Sequence, residues 1–268
     1  MKINSIFLYF IDSNCLLIRH KWYNIENIGF DHTERKCVME FRNAILKEKK
    51  QIAHDSYSFK MTVPEGYSWK AGQHVMWRIP GYEVDEGDRD TRVFTIASAP
   101  EDGFLMFATK IGELHTSFKD ILLKKIEPGD TIQVAEPLGT FGFNPEKEKS
   151  LIIVGGIGIT PIRSIMRHEL DSHKNGHKIH MLFSEAGGDH PFGDFFREAD
   201  AKLEDFSVEF VTEVDVFTGK TAEYAKANGN EAEYLIAGSP GMNAAFTKQL
   251  QELGIKDSNI VKDEFFGY

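Results

Sequence analysis

Leu151-Ile-Ile-Val-Gly-Gly-Ile-Gly-Ile-Thr-Pro161 is the stretch whose reading decides the fold. Residues 151–154 form a short apolar run, as expected of a strand covered on both faces. Gly155, Gly156 and Gly158 then strip the turn of side chains. Thr160 suits a helix N-cap, and Pro161 suits the first helical turn, where its missing N–H is no loss. Ile162, Ile165, Met166 and Leu170 recur at helical spacing. A helix behind a bare-backbone turn presents free N–H groups and a partial positive charge, which suits a diphosphate. The general dinucleotide fingerprint carries a third glycine where Pro161 stands. Glycine-rich turns also arise for purely steric reasons, so this segment alone leaves both readings open.

A second informative stretch lies upstream: Arg92-Val-Phe-Thr-Ile-Ala-Ser98, a β-prone run ended by Pro100. The Arg92 guanidinium suits a phosphate. Phe94, two residues on, shares its strand face and suits a flat ring. The Thr95 hydroxyl can donate to a ring nitrogen. An ordinary barrel strand with a surface arginine gives the same pattern when the segment is taken alone.

The order of elements separates these readings. Strand-like runs at 58–63, 74–79, 92–98, 104–110 and 131–136 are divided by turn signals such as Pro64-Glu-Gly66, Pro80-Gly81 and Pro128-Gly-Asp130. One helix-like piece, 114–123, interrupts them. This pattern predicts an antiparallel Greek-key β-barrel. After Ser150, strands at 151–155, 178–184, 207–213, 234–238 and 260–265 alternate with helices near 161–171, 193–204, 220–228 and 240–253. That predicts an α/β domain with a doubly wound five-stranded parallel sheet. The expected division is an extension over 1–40, a barrel over 41–147 and the α/β domain over 148–268.

With these motifs in place, the chain from about residue 42 onward resembles the ferredoxin–NADP reductase family in its compact bacterial form. Arg92-Val-Phe-Thr95 resembles that family's flavin motif, with Phe for Tyr. Lys110-Ile-Gly112-Glu-Leu-His-Thr116-Ser117-Phe118 resembles its flavin-diphosphate segment, and Glu136-Pro-Leu-Gly-Thr-Phe141 its barrel-closing turn. The glycine turn before Pro161 and Gly238-Ser239-Pro240-Gly241-Met242 resemble its two nicotinamide loops. The resemblance implies FAD, with FMN less favoured, in the barrel, NADH or NADPH on the α/β domain, and hydride transfer between them.

Residue by residue, it implies flavin contacts from Arg92, Phe94, Thr95, Lys110, Gly112, Thr116, Ser117 and a terminal Tyr268. It implies dinucleotide contacts from Gly156, Gly158, Thr160, Pro161, Ser184, Gly238, Ser239, Pro240 and Met242. Thr95, Glu264 and Tyr268 are the implied residues at the reacting centre, with Tyr268 stacked where the nicotinamide must go. Two departures stand out. Ala237 replaces a cysteine that often precedes Gly-Ser-Pro-Gly-Met. After Ser184 comes Glu185 instead of an arginine, which disfavours a 2′-phosphate and leans the reading towards NADH. A Glu185 that merely points into solvent is the other reading.

Composition fits a soluble enzyme, and the lack of indicated disulfide pairs fits a cytoplasmic location. The 268 residues allow two domains of ordinary size. A net charge of −10, from 31 Lys+Arg against 41 Asp+Glu, argues against general nucleic-acid binding. The two cysteines, Cys15 and Cys37, cannot supply a plant-type iron–sulfur cluster, which needs four. A one-electron acceptor is then a separate molecule such as ferredoxin, flavodoxin or an oxygenase component. Lys47, Lys49, Lys50, Lys119, Lys124 and Lys125 are candidates for docking an acidic acceptor, or else they solvate an edge strand and a helix face. No metal-ligand spacing occurs among the histidines. The apolar run 6–11 is too short to span a membrane. Residues 1–38 read as a poorly ordered extension or a start assigned too early, with Met39 as the natural first residue. A non-catalytic flavin- and nucleotide-binding redox sensor is the alternative of a different class.

Overall fold

The computed structural model describes residues 39–172 and 176–263. The extension read over 1–38, together with Glu264 and Tyr268, lies outside the described residues. The first six strands are β1 (Arg42–Ala53), β2 (Ser56–Met61), β3 (His74–Arg78), β4 (Thr91–Thr95), β5 (Leu105–Lys110) and β6 (Thr131–Val134). They pair antiparallel in the order β4-β3-β6-β1-β2-β5. Just past β4, the Ala97 N–H donates to Met106 O of β5 at 2.6 Å, which closes the sheet on itself. The interior is aromatic: Phe107 packs on Phe59 at 4.9 Å and on Trp77 at 4.8 Å between centroids. Helix α1 (Ser117–Lys124) plugs one end with Phe118, Ile121 and Leu122.

Strand β1 is the longest of the barrel and lies in its middle, between β6 and β2. It is the barrel strand that the sequence reading starts near Phe41, but local pattern gives neither its extent nor its central place. The charge run Lys47-Glu48-Lys49-Lys50 masks its alternation, and the register shifts between Leu46 and Glu48. The edge-strand reading of these lysines is therefore corrected. Lys49 turns inward, donating to Leu123 O at 3.3 Å and Ile126 O at 2.7 Å, where it caps the carbonyl end of α1.

The second sheet is parallel. Strands β7 (Lys149–Gly155), β8 (Lys178–Ser184), β9 (Phe206–Val211), β10 (Glu233–Ala237) and β11 (Ile260–Asp263) lie in the order β11-β10-β7-β8-β9. Ile152 and Val154 face α2 (Ile159–Ser172) and α3 (Gly193–Lys202), in one core with Ile162, Met166 and Phe196. Leu151 and Ile153 face α4 (Val214–Asn228) and α5 (Pro240–Glu252), in another core with Phe217 and Leu250. Helices on both faces make the sheet doubly wound, as the sequence predicts. The chain reverses its winding direction between β7 and β10, and ligands bind at such switch points. Helix α4 begins at Val214, before the predicted 220; the strand-like alternation of Val214-Asp-Val216 hides its start from local pattern.

The two sheets are joined by α2. Arg163 donates to Ala97 O at 2.7 Å and to Asp102 at 2.8 Å. Arg167 donates to the other Asp102 oxygen at 3.1 Å, and Ser164 donates to Ser98 O at 2.8 Å. The Asp102 carboxylate is 8% exposed, so it is paired twice in a nearly dry setting. Removing one partner of a buried pair costs about 3–5 kcal/mol. We expect Asp102→Ala to lose about 3 kcal/mol in urea unfolding; a loss below about 1 kcal/mol would show that this contact does not hold the domains together.

Candidate functional site

The residues with implied roles fall into two groups on either side of this junction. The first surrounds the N-terminus of α1. Thr116 is the N-cap, its hydroxyl accepting from Lys119 N at 3.4 Å, and Ser117 is the first helical residue. Arg92 reaches this helix end from β4, its guanidinium lying 5.0 Å from the Phe118 ring centroid. Free helix N–H groups, a hydroxyl and a fixed cation make a seat for an anion.

Asp88 sits in that seat. Its carboxylate accepts from Ser117 Oγ at 2.7 Å, from Phe118 N at 3.1 Å and from Arg89 N at 2.8 Å, and it pairs with Arg92. Burial pushes the Asp88 carboxyl up, but the hydrogen bonds from Ser117, Arg92, Phe118 and Arg89 outweigh it and hold it far below the usual carboxylate range. Sequence reading misses Asp88. The only signal is an acid one helical turn before Arg92 in a glycine-bounded acidic loop.

Phe94 shares its strand face with Arg92, as the alternation predicts, but packs on Phe107 with centroids 5.0 Å apart and planes 16° apart. One face of its ring thus belongs to the barrel core. Alternation puts Thr95 on the opposite side of β4 from Arg92 and Phe94. Its hydroxyl oxygen is buried without a hydrogen-bond partner, as is that of Ser98. Unpartnered buried hydroxyls at the end of the strand fit the polar edge of a ring, and the anion seat fits a diphosphate, so the residues present suit FAD. Lys110 pairs with Asp55 at 3.3 Å, and Gly112 O accepts from His115 Nδ1 at 2.7 Å. Lys119 turns back to donate to Lys110 O at 2.9 Å. Burial, with Arg92 nearby, lowers its pKa.

The second group lies at the switch point. A Cβ on Gly158 would sit 2.5 Å from Ala237 O and 2.8 Å from Gly238 Cα. The loops after β7 and β10 therefore touch backbone to backbone, and the fold itself requires a glycine at 158. Gly156 differs. It adopts φ +54°, and only the Glu185 carboxylate, 3.3 Å from a would-be Cβ, crowds it. Glu185 is half-buried against the turn, so the solvent-pointing reading is not what the structure holds. The N-cap reading of Thr160 is also corrected. The helix continues from a 3-10 turn over Gly156–Gly158, so Thr160 and Pro161 lie inside its first turn, and the Thr160 hydroxyl donates back to Ile157 O at 3.3 Å. Ser239 caps α5, accepting from Met242 N at 3.2 Å, and Pro240 opens the helix. Met242 sulfur fills the space left by Gly155 and Gly238, at 2.6 and 2.5 Å from their would-be Cβ atoms. Ser184 ends β8 beside Gly155.

At the end of β11, Asp263 pairs in register with Ala237. Its carboxyl is buried and one oxygen has no partner, and burial pushes its pKa up to about 8. This acid, one residue before the implied Glu264, is a second group that sequence reading misses. Among the described residues no cluster of His, Cys, Asp and Glu suits a metal, and no helix is long and apolar enough to cross a membrane.

Residues 43–143 match the model of the oxidoreductase FAD-binding domain. The chain is similar to a component of the Na(+)-translocating NADH-quinone reductase of Haemophilus influenzae, 28% identical over 231 residues, covering 76% of this chain and 55% of that one. It is 30% identical over 217 residues to a plasma membrane-associated coenzyme Q6 reductase of Saccharomyces cerevisiae, covering 75% of this chain and 67% of that one. The chain thus spans little more than half the length of the NADH-quinone reductase components it matches. Among solved structures, an Amycolatopsis cytochrome P450 reductase shares the fold with a TM-score of 0.70 at 22% identity, over 85% of this chain and 71% of that one.

Two outcomes follow from the switch-point geometry. Gly158→Ala forces a methyl into the Ala237 carbonyl and should cost about 1–3 kcal/mol of stability; an undiminished melting temperature would contradict the packing described. Asp263 has a folded pKa above its unfolded value, so its contribution to stability is complete below pH 4 and is lost as pH rises through about 8. Asp263→Asn should therefore gain on the parent steadily between pH 4 and 8 in paired urea titrations. A difference that does not change with pH would mean that Asp263 ionises freely.

Proposed function

Because the chain belongs to the ferredoxin reductase-like family of FAD- and pyridine-nucleotide-binding oxidoreductases, we propose that it takes a hydride from NAD(P)H onto FAD and passes electrons to a separate acceptor. One observation carries this reading. Helix α2, which starts at the glycine turn, is bonded to Ala97 O and Ser98 O, immediately beyond Thr95. The nicotinamide turn and the end of the flavin strand are thereby held side by side, and reaction rates depend on such fixed proximity.

Bound FAD supplies the hydride-accepting and electron-releasing chemistry. The chain's own residues position it. Arg92, Thr116, Ser117 and the amide of Phe118 hold the diphosphate; Lys110 and Gly112 flank it. Thr95 offers a hydroxyl to the ring edge and Phe94 walls the ring. Gly156 lets the nucleotide diphosphate approach the first turn of α2, and Glu185 beside it accepts from a ribose hydroxyl, which favours NADH over NADPH. Ser184, Gly238, Ser239, Pro240 and Met242 border the nicotinamide side. Glu264 and Tyr268, by resemblance, complete the reacting centre.

The acceptor is a ferredoxin, a flavodoxin or an oxygenase component meeting the protein in the cytoplasm. Lys49 and Lys119 point inward, so the docking cations reduce to Lys47, Lys50, Lys124 and Lys125. A quinone is the second acceptor class, favoured by the two quinone reductases among the relatives.

Arg92→Ala removes a charge-assisted contact worth about 1.5–3 kcal/mol, so FAD affinity should fall about tenfold or more. Unchanged affinity removes Arg92 from the site. In an anaerobic titration, NADH should bleach the bound flavin with a kcat/KM above that of NADPH. Flavin that neither nucleotide reduces would favour the sensor reading, and a preference for NADPH would overturn the role given to Glu185.

A further inference from the structure

The segment between β3 and β4, Pro80-Gly-Tyr-Glu-Val-Asp-Glu-Gly-Asp-Arg-Asp90, is strongly acidic, yet it lies on the helix end that the proposed function assigns to an anion. It is held there at several points. The Asp85 N–H donates to Ser117 Oγ at 2.9 Å, and that hydroxyl donates to Asp88. Tyr82 Oη donates towards Lys125 O at 3.4 Å, near the far end of α1. Asp88 itself takes the Arg92 guanidinium, the Ser117 hydroxyl and the Phe118 amide. These are the donors that a flavin diphosphate would use. A donor set of this size satisfies one anion, since each N–H or O–H points at one acceptor. The side chains of Arg92 and Asp88 are each 15% exposed, so no second anion reaches Arg92 while Asp88 is in place. The cavity beside the helix end, about 230 Å³, is lined by Glu83, Asp85 and Asp120 together with His115, Ser117 and Lys125, so it adds only one lysine to the cations at the seat. Phosphate oxygens can therefore reach the seat only by replacing Asp88.

Two glycines punctuate the loop. Gly81 and Gly87 adopt φ +82° and +86°, and a Cβ at either would meet nothing within 4 Å. Glycine at such positions keeps the backbone free to turn. Gly81 lies at the start of the segment and Gly87 immediately before Asp88.

We propose that Asp88 is an internal ligand of the flavin-diphosphate seat: in the flavin-free protein its carboxylate satisfies Arg92 and the N-terminus of α1, and flavin binds by displacing it and lifting the 81–90 loop from the helix. The inference rests on the reading that this seat takes the flavin diphosphate. It makes the flavin-free protein stable with its cation paired, and it sets the flavin affinity by the difference between two anions competing for the same donors.

The test uses flavin-free protein, with FAD affinity measured by fluorescence quenching and stability by thermal melting. Asp88→Asn should lower the melting temperature without flavin, because a carboxylate leaves a cationic seat, and should tighten FAD binding by about tenfold. Inorganic pyrophosphate should raise the melting temperature of Asp88→Ala and leave that of the parent unchanged. In the parent protein, which needs no substitution, FAD should speed hydrogen exchange at the Asp85 amide as its bond to Ser117 opens. FAD affinity that is unchanged or weakened in Asp88→Asn overturns the proposal, and so does an Asp85 amide that stays protected with FAD bound. Arg92→Ala in the Asp88→Ala background, where no internal carboxylate competes, separates this from failure of the underlying reading: if FAD affinity stays intact there, the diphosphate lies elsewhere.

Discussion

The bonds from α2 to the tail of β4 decide where everything else must be. Arg163 and Ser164 donate to the main-chain carbonyls of Ala97 and Ser98, and Trp69 Nε1 donates to Ser98 O from the other side at 2.9 Å. Carbonyl acceptors fix a backbone rather than a mobile side chain, so the end of β4 cannot shift against the start of α2 without leaving buried donors unpaired. Asp102 adds ion pairs to Arg163 itself and to Arg167, one turn further along the helix. The site lies at the seam of two sheets that fold as separate layers, and this junction makes their ends a single rigid edge.

The switch point of the parallel sheet shows the same economy of space. Backbone meets backbone at Gly158 and Ala237, and the gaps left by Gly155 and Gly238 are filled by the flexible thioether of Met242. Close packing there leaves Asp263 at the end of β11 with a carboxyl oxygen that has no partner. A buried, unpartnered acid lowers stability at neutral pH, and such losses concentrate near functional sites. The barrel side behaves in the opposite way. Its anion seat is occupied, because Asp88 takes the Arg92 guanidinium, the Ser117 hydroxyl and the Phe118 amide.

Electrostatic roles are distributed unevenly among residues of the same type. Lys49 and Lys119 sit in the sequence like any solvated lysine, yet one closes the carbonyl end of α1 and the other folds back on Lys110 O. Lys124 pairs with Asp120 on the open surface. Only the last arrangement leaves a cation facing outward, where a weak pair yields easily to an acidic partner.

The sequence by itself determined the layer order, because period-2 and period-3.6 apolar patterns and glycine turns are local properties. It also singled out the Arg92-Val-Phe-Thr95 and Gly155 to Pro161 motifs, which lie at β4 and at the start of α2. It did not reveal the extent or central place of β1, whose alternation is masked by Lys47 to Lys50 and by a register shift, nor the start of α4, where Val214-Asp-Val216 mimics a strand. Tertiary structure alone decided what each motif residue touches. Gly158 is fixed by the carbonyl of Ala237, far along the chain. Phe94 gives one ring face to Phe107, and Thr95 faces away from Arg92. Asp88, which local pattern marks only as one acid among several in a turn, holds the arginine. Each of these depends on contacts between distant segments, and a linear pattern carries no record of which distant group fills a given space.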